Sequence, residues 1–305
     1  MARGGSRRLF FPVLFFFLTW ISTTFVGSLY ASGGFFSGLW FSVPLMTILT
    51  CHEMGHFLQA RRYGVYSSLP WFIPVPFPPF GTFGAIISLD SRIPNIRALF
   101  DIGISGPLAG LVPTLIFLVA GIACSTVGTV SPTPETLVFG EPLLFRWIAA
   151  LFFDRSDPGT DLLLHPIGMA AWTGLFITSL NLFPIGQLDG GHVFYALLKK
   201  RTRLAVRILF FGIGAAIVLF EAWQWSLMFL LVILIGIHHP PTANDALPLG
   251  WKRTLLGWLT LAFLLIGFTP NPISQPEPPK LDVKPLYSME ISEGGEEFGA
   301  ARGTF

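Results

Sequence analysis

About seven stretches of this chain are long and apolar enough to cross a bilayer, and this limits its fold more than any other feature. They run approximately over Leu9–Tyr30, Phe35–Ala60, Leu99–Ala123, Pro166–Leu182, Leu204–Phe220, Trp225–Ile237 and Thr254–Phe268. Hydrocarbon offers no water to unpaired backbone N–H and C=O groups, so each stretch is predicted to close its hydrogen bonds internally, as a helix. The last two are short and are predicted to tilt little, thin the bilayer or pair as a broken hairpin. Charged residues make up only 12% of the sequence, about half the share in a soluble domain. The predicted fold class is an all-α polytopic membrane protein of about six to seven transmembrane helices. One short membrane-dipping extended, β-like segment is expected within it.

The distribution of basic residues sets an expected orientation. With the N-terminus in the cytoplasm, the inside loops carry Arg61, Arg62, Arg92, Arg97, Lys199, Lys200, Arg201, Arg203, Arg207, Lys252 and Arg253. The outside loop between the third and fourth stretches carries Arg146 and Arg155 against Glu135, Glu141, Asp154, Asp157 and Asp161. The positive-inside rule selects this arrangement. Arg3, Arg7 and Arg8 before apolar Leu9–Ile21 resemble a signal peptide, but no clear small-x-small cleavage site follows. The stretch is therefore read as an uncleaved first span, and no Ser-rich, acid-poor transit extension is seen before it. The expected location is a bacterial inner (plasma) membrane. Cys51 and Cys124 fall in different predicted helices, so no disulfide framework is expected.

Several connections have readings of their own. Leu69–Phe80 is apolar but carries Pro70, Pro74, Pro76, Pro78 and Pro79, which excludes a helix. Gly81–Leu89 then reads as extended. Apolar non-helical chain suits a loop that dips into the membrane against protein or a water-filled cavity, with an interfacial loop as the alternative. Glu141–Phe153 reads as a short amphipathic helix at the outer interface. The Pro-, Gly- and Glu-rich tail is expected to be disordered. The resulting units are residues 1–34, an N-terminal anchor; 35–241, the core; 242–270, a C-terminal membrane segment; and 271–305, the tail.

Cys51-His52-Glu53-Met54-Gly55-His56 lies within the second apolar stretch. Ionisable groups there are costly and mark a functional site by default. Residues four apart share a helix face, so His52 and His56 can grip one metal ion, with Glu53 beside them free to handle protons. The pattern points to a zinc hydrolase working within the bilayer. The plainer alternative is a pair of buried polar side chains bonded to neighbouring helices.

Two histidines leave zinc short of ligands, since catalytic zinc usually takes three. The fourth stretch runs into Asn181-Leu182-Phe183-Pro184-Ile185-Gly186-Gln187-Leu188-Asp189-Gly190-Gly191-His192. Pro184 breaks the helix there. Running inward like the second span, this segment places Asp189 near the depth of His56, and an aspartate at that depth needs a cation.

His52-Glu53-x-x-His56 followed by Asn181-x-x-Pro184-x-x-x-Leu188-Asp189-Gly190-Gly191 resembles the site-2 protease family of intramembrane zinc metalloproteases. Gly81-Thr82-Phe83-Gly84-Ala85 and Phe100-Asp101-Ile102-Gly103-Ile104-Ser105-Gly106-Pro107-Leu108-Ala109-Gly110 are also similar to that family. The likeness covers most of residues 39–241. No insertion long enough for a PDZ domain separates the motifs, as in the compact branch of the family. The resemblance implies that His52, His56 and Asp189 bind Zn2+ and that Glu53 is the base. It also implies cleavage of single-span membrane proteins, usually to release a cytoplasmic factor. Asn181 is a further catalytic candidate, to steady substrate or oxyanion, against a reading as a capping or packing residue. His192, His238 and His239 lie outside the core motif and are expected to be supporting or interfacial polar groups rather than ligands.

The expected partners are a substrate with a transmembrane helix and the lipid bilayer, with no nucleic acid; a homo-oligomer is left open. Two rival functions share the same residues. A divalent-metal transporter would need polar groups spaced across the membrane, whereas these lie at one depth, and no internal repeat relates the halves. An inactive escort protein would have no need of Glu53.

Overall fold

The computed structural model describes residues 3–31, 33–90, 92–129, 138–153 and 160–274. Its helices are α1 (Arg3–Tyr30), α2 (Leu39–Arg62), α3 (Ile96–Ala123), α4 (Leu143–Ala149), α5 (Pro166–Asn181), α6 (Asp189–Leu198), α7 (Thr202–Leu219), α8 (Ser226–Ile235) and α9 (Trp251–Gly267). Six short strands accompany them: β1 (Trp71–Pro74), β2 (Thr82–Ile86), β3 (Thr126–Thr129), β4 (Val138–Phe139), β5 (Thr160–Leu163) and β6 (Ile273–Ser274). The molecule is a helical membrane protein. Among the described residues, four apolar helical stretches are long enough to span: Leu9–Tyr30, Phe35–Arg62, Ile96–Ala123 and Asp189–Leu219. α5, α8 and α9 coincide with apolar stretches of the sequence but are shorter, at 16, 10 and 17 residues.

Helix α3 is the hub, packing on α2, α5 and α6. Small residues let the backbones close in. At Gly121 a Cβ would stand 2.1 Å from the Gly168 nitrogen of α5, so only glycine fits that crossing. Local signals fix the helix ends. Asn95 caps α3 by accepting from the amides of Arg97 (3.1 Å) and Ala98 (3.0 Å). His165 caps α5, with Pro166 in the first turn.

One buried cluster joins α3 and α6 through Leu99, Phe100, Val193 and Ala196, closed by Leu249 from the strap before α9. A second, around Leu118, Trp172 and Phe176, binds α3 to α5 at the opposite end. A third, with Phe41, Leu45, Leu49 and Phe72, seats the β1–β2 hairpin on α2.

The hairpin pairs Trp71 with Ile86, Phe72 with Ala85 and Pro74 with Thr82, antiparallel. A bridge between Ser67 and Leu89 extends it. α1 holds its turn: Ser22 donates to the Gly81 carbonyl and Tyr30 to that of Pro79, both at 2.7 Å. The prolines of residues 69–80 exclude a helix but give no sign of the strand at residues 71–74. Pro74 is tolerated because it closes the strand, beside an irregularity in the register.

Two other expectations need adjusting. The outer amphipathic helix spans only Leu143–Ala149. The expected disordered tail begins at residue 271, but Ile273 and Ser274 pair with Phe139 and Val138 of the outer loop. Residues 275–305, the rest of that expectation, lie outside the described residues, as does Glu135.

Candidate metal centre

Helix α2 carries His52 and His56 one turn apart, on the side facing α3, and both are buried. Two glycines of α3 make the room. A Cβ on Gly106 would stand 2.0 Å from His56 Nε2, and one on Gly110 3.1 Å from the His52 Cβ. The Phe100–Gly110 segment is thus the surface into which both imidazoles sink. The α3 backbone also orients one of them: His56 Nδ1–H donates to the Ile102 carbonyl at 2.7 Å. In neutral His56 this leaves the Nε2 lone pair free to face inward.

Asp189 arrives from the other side, as the first residue of α6. The Asn181–Leu188 segment ends α5, turns, and starts α6. Gly190 is required because a Cβ there would lie 1.9 Å from the Leu182 carbonyl oxygen. The tight turn points Asp189 at the two histidines.

His52 Nε2 lies 3.3 Å from His56 Nε2 and 3.0 Å from Asp189 Oδ2, and His56 Nε2 lies 3.2 Å from Asp189 Oδ1. Nitrogen and oxygen ligands of one tetrahedral zinc, bonded at roughly 2.0–2.1 Å, stand about 3.3 Å apart. The donor set therefore fits zinc in both chemistry and spacing, and lone pairs converging in a buried place call for a cation. Among the described residues, this is the one group of three His, Cys, Asp or Glu side chains close enough to hold a metal.

Glu53 is 5% exposed and lines a small cavity of about 100 Å³ beside His52. The Asn181 amide lies 3.5 Å from His52 Nε2 and lines the same cavity. β2 forms another wall, through Phe83–Ile86. His192 does not join the cluster: its Nδ1 meets His239 Nε2 at 2.7 Å, and His239 Nδ1–H bonds the Pro240 carbonyl. His238 is exposed.

Sequence reasoning passed over the Ile102 carbonyl, the cavity walls and a clamp behind the centre. In that clamp Arg253 of α9 donates to both Asp101 oxygens, at 2.8 and 2.9 Å, and the Tyr63 hydroxyl donates to the same carboxylate. Asp101 is a lone acid in an apolar helix, and that signal points to a cationic partner.

Comparison with known proteins agrees with this geometry. The family model for peptidase family M50 matches residues 40–221. The chain is 30% identical over 232 residues to "Probable zinc metalloprotease EGY2, chloroplastic" of Arabidopsis thaliana, an overlap of 74% of this chain and 41% of that protein. It is 31% identical over 229 residues to "Probable zinc metalloprotease EGY1, chloroplastic" of Oryza sativa subsp. japonica, covering 73% and 38%. The chain thus spans about two-fifths of the length of these curated relatives. No solved structure matches it.

Proposed function

The chain belongs to peptidase family M50, the site-2 proteases, and from that premise we propose that it is a zinc metalloendopeptidase cutting peptide bonds within or near the membrane-spanning segments of single-span proteins, in regulated intramembrane proteolysis. The observation that carries this reading is the meeting of His52, His56 and Asp189 next to a cavity lined by Glu53 and Asn181.

His52, His56 and Asp189 are the proposed ligands. Zinc held there supplies Lewis acidity, which polarises a carbonyl and acidifies water. Glu53 takes a proton from the attacking water and passes it to the leaving amine. Its place in the cavity, one residue along α2 from His52, suits both transfers. The Asn181 amide steadies the carbonyl oxygen as charge grows on it. A peptide bond inside a helix is shielded by its own hydrogen bonds, so the substrate unwinds first, and Gly, Asn or Pro near the cut favours cleavage. The β2 edge away from β1 receives the unwound chain as an added strand.

The proposed setting is a bacterial plasma membrane crossed six to seven times, with the centre on the Lys- and Arg-rich cytoplasmic side and the β1–β2 segment dipping into the membrane. A metal-transport reading is less favoured, because the ionisable groups gather at one site rather than along a path. The test is Glu53→Gln. It should retain stoichiometric zinc and lose at least about 100-fold in cleavage of a model membrane substrate, since the ligands stay and the base goes. Wild-type turnover by zinc-loaded Glu53→Gln removes Glu53 from the mechanism, and zinc flux into liposomes carrying the wild type would favour transport.

A further inference from the structure

The strap of residues 237–249, between α8 and α9, is fastened along the helix that begins with Asp189. The Ile237 carbonyl accepts from the Gly186 amide, in the turn before Asp189, at 3.2 Å. His239 meets His192 of α6 at 2.7 Å, Asp245 accepts from the Tyr195 hydroxyl at 2.6 Å, and the Leu247 carbonyl accepts from Lys199 Nζ at 3.0 Å. The strap is tied to α3 as well, where the Ile96 amide donates to the Asn244 carbonyl at 3.3 Å. Among its side-chain fastenings to α6, His192 is the nearest to Asp189, one turn further along the helix. Residues three apart share a helix face, and this face is pressed on α3. A Cβ on Gly103 would stand 2.7 Å from the His192 Cβ and 3.5 Å from the Asp189 carbonyl oxygen. Gly103 precedes Gly106 by one turn, so α3 takes in His192 beside the place where it takes in His56.

We propose that His239 is a positioning residue for Asp189: by holding the His192 ring it sets the roll of the first turn of α6 and keeps the carboxylate aimed at His52 and His56. The inference rests on the reading of His52, His56 and Asp189 as metal ligands. Leu188 gives α6 no side-chain cap, and the first turn of a helix leaves its amides without intrahelical partners. The aim of Asp189 therefore depends on what grips that turn from outside. His239 is itself fixed. Its Nδ1–H bonds the Pro240 carbonyl, so in the neutral ring Nε2 accepts and His192 Nδ1–H donates. Its ring also stacks on Tyr195, with centroids 4.7 Å apart and planes at 29°. Asp245 then anchors Tyr195 by its hydroxyl. The strap leads directly into α9, whose Arg253 holds Asp101 beside the Ile102 carbonyl that orients His56. One stretch of chain thus braces the centre from both sides, through His239 toward Asp189 and through Arg253 toward His56.

The test uses the full chain in lipid, stripped of metal and then loaded with Zn2+ or Co2+. His239→Phe keeps a ring against Tyr195 but cannot accept from His192, whereas His239→Gln supplies an amide oxygen that can. Lys199→Met is the control, because it removes the strap bond furthest along α6 from Asp189. In His239→Phe the zinc affinity, measured by competition with a chelator, should fall about 10–100-fold, as for other groups that orient a ligand. The visible absorption of bound Co2+ should change with it, because it reports the geometry of the ligands. His239→Gln should stay within about threefold of the wild-type affinity. Lys199→Met should lower thermal stability and leave both the affinity and the Co2+ spectrum as in the wild type. A His239→Phe protein with wild-type affinity and spectrum overturns the proposal. So does an equal loss in His239→Gln, since the hydrogen bond is then irrelevant, or in Lys199→Met, since the loss is then a general loosening of the fold. Wild type that takes up no zinc overturns the metal-ligand reading, and the proposal with it.

Discussion

Gly106 lies flush against the His56 imidazole, so close that a methyl group in its place would stand 2.0 Å from Nε2. Alanine normally stabilises a helix relative to glycine by about 1 kcal/mol. Here Gly106→Ala should do the opposite to the site. The ring must swing away, losing either its bond to Ile102 or its approach to Asp189. Metal affinity, measured by competition with a chelator, should fall about 10–100-fold, the range for disturbed groups supporting a ligand. Removing the metal from the wild type should abolish cleavage, and added zinc should restore it. Gly106→Ala with undiminished affinity would show that the His56 ring has another place to go.

Arg253 reaches 152 positions back along the chain to Asp101, the residue before the Ile102 carbonyl that holds His56. The guanidinium side chain is 38% exposed and the carboxylate 16%. Arg253→Gln should therefore cost about 1–2 kcal/mol, reduced by solvent screening from what a buried pair would give. Arg253→Lys should recover only part, because an ammonium cannot form the two-pronged contact. Adding Asp101→Asn to Arg253→Gln should cost less than Asp101→Asn alone, because the charge left unpaired is then removed. Thermal unfolding of the wild type and these four variants checks this. Strict additivity would mean the two side chains are not coupled.

The sequence was most legible where polar residues break the apolar pattern. His52, His56 and Asp189 stood out because hydrocarbon tolerates such groups only with a purpose, and the structure brings those three together. Helix α5 kept nearly the bounds read for it, because Pro166 opens it and the turn before Pro184 closes it. Other features had no signature to read. The Ile102 carbonyl is a backbone atom, and any residue at that position would supply it. The apolar cavity walls on α2 and α5 are ordinary residues, Ile48, Leu49 and Ile177, brought together by the packing of the two helices. β1 is hidden by Pro74 within it and by the flanking Pro70 and Pro76, and the two-residue pairing of β4 with β6 depends on partners more than 130 positions apart. The number of spans stays open because α5, α8 and α9, at 16, 10 and 17 residues, fall short of the roughly 20 that a span usually takes.

The proposed orientation rests on charge alone and is open to labelling. With Cys51 and Cys124 first replaced, Arg62→Cys should be shielded from an impermeant thiol reagent in intact cells. Asp161→Cys, at an exposed position of β5, should react. The reverse pattern would put the metal centre on the outer side.

Strand addition at β2 makes a demand on backbone rather than side chains. Ile86 is the last residue of β2 and pairs with Trp71, and Ile87 follows it. Consecutive residues of a strand direct their amides to opposite edges, so one of the two faces the hairpin and the other faces away. Proline removes the donor and fixes φ, whereas valine keeps both. Ile86→Pro and Ile87→Pro should each slow cleavage about tenfold or more, one by disturbing the hairpin and one by denying a bond to substrate. Only the first kind should also lower thermal stability, so comparing melting with turnover identifies the amide that faces substrate. Ile86→Val and Ile87→Val should stay close to wild type in both. Zinc should remain stoichiometric throughout, since its proposed ligands lie on α2 and α6. If both proline variants turn over substrate at the wild-type rate, the unwound chain is held elsewhere, and the α5 wall at Ile177 and Asn181 is the next surface to probe.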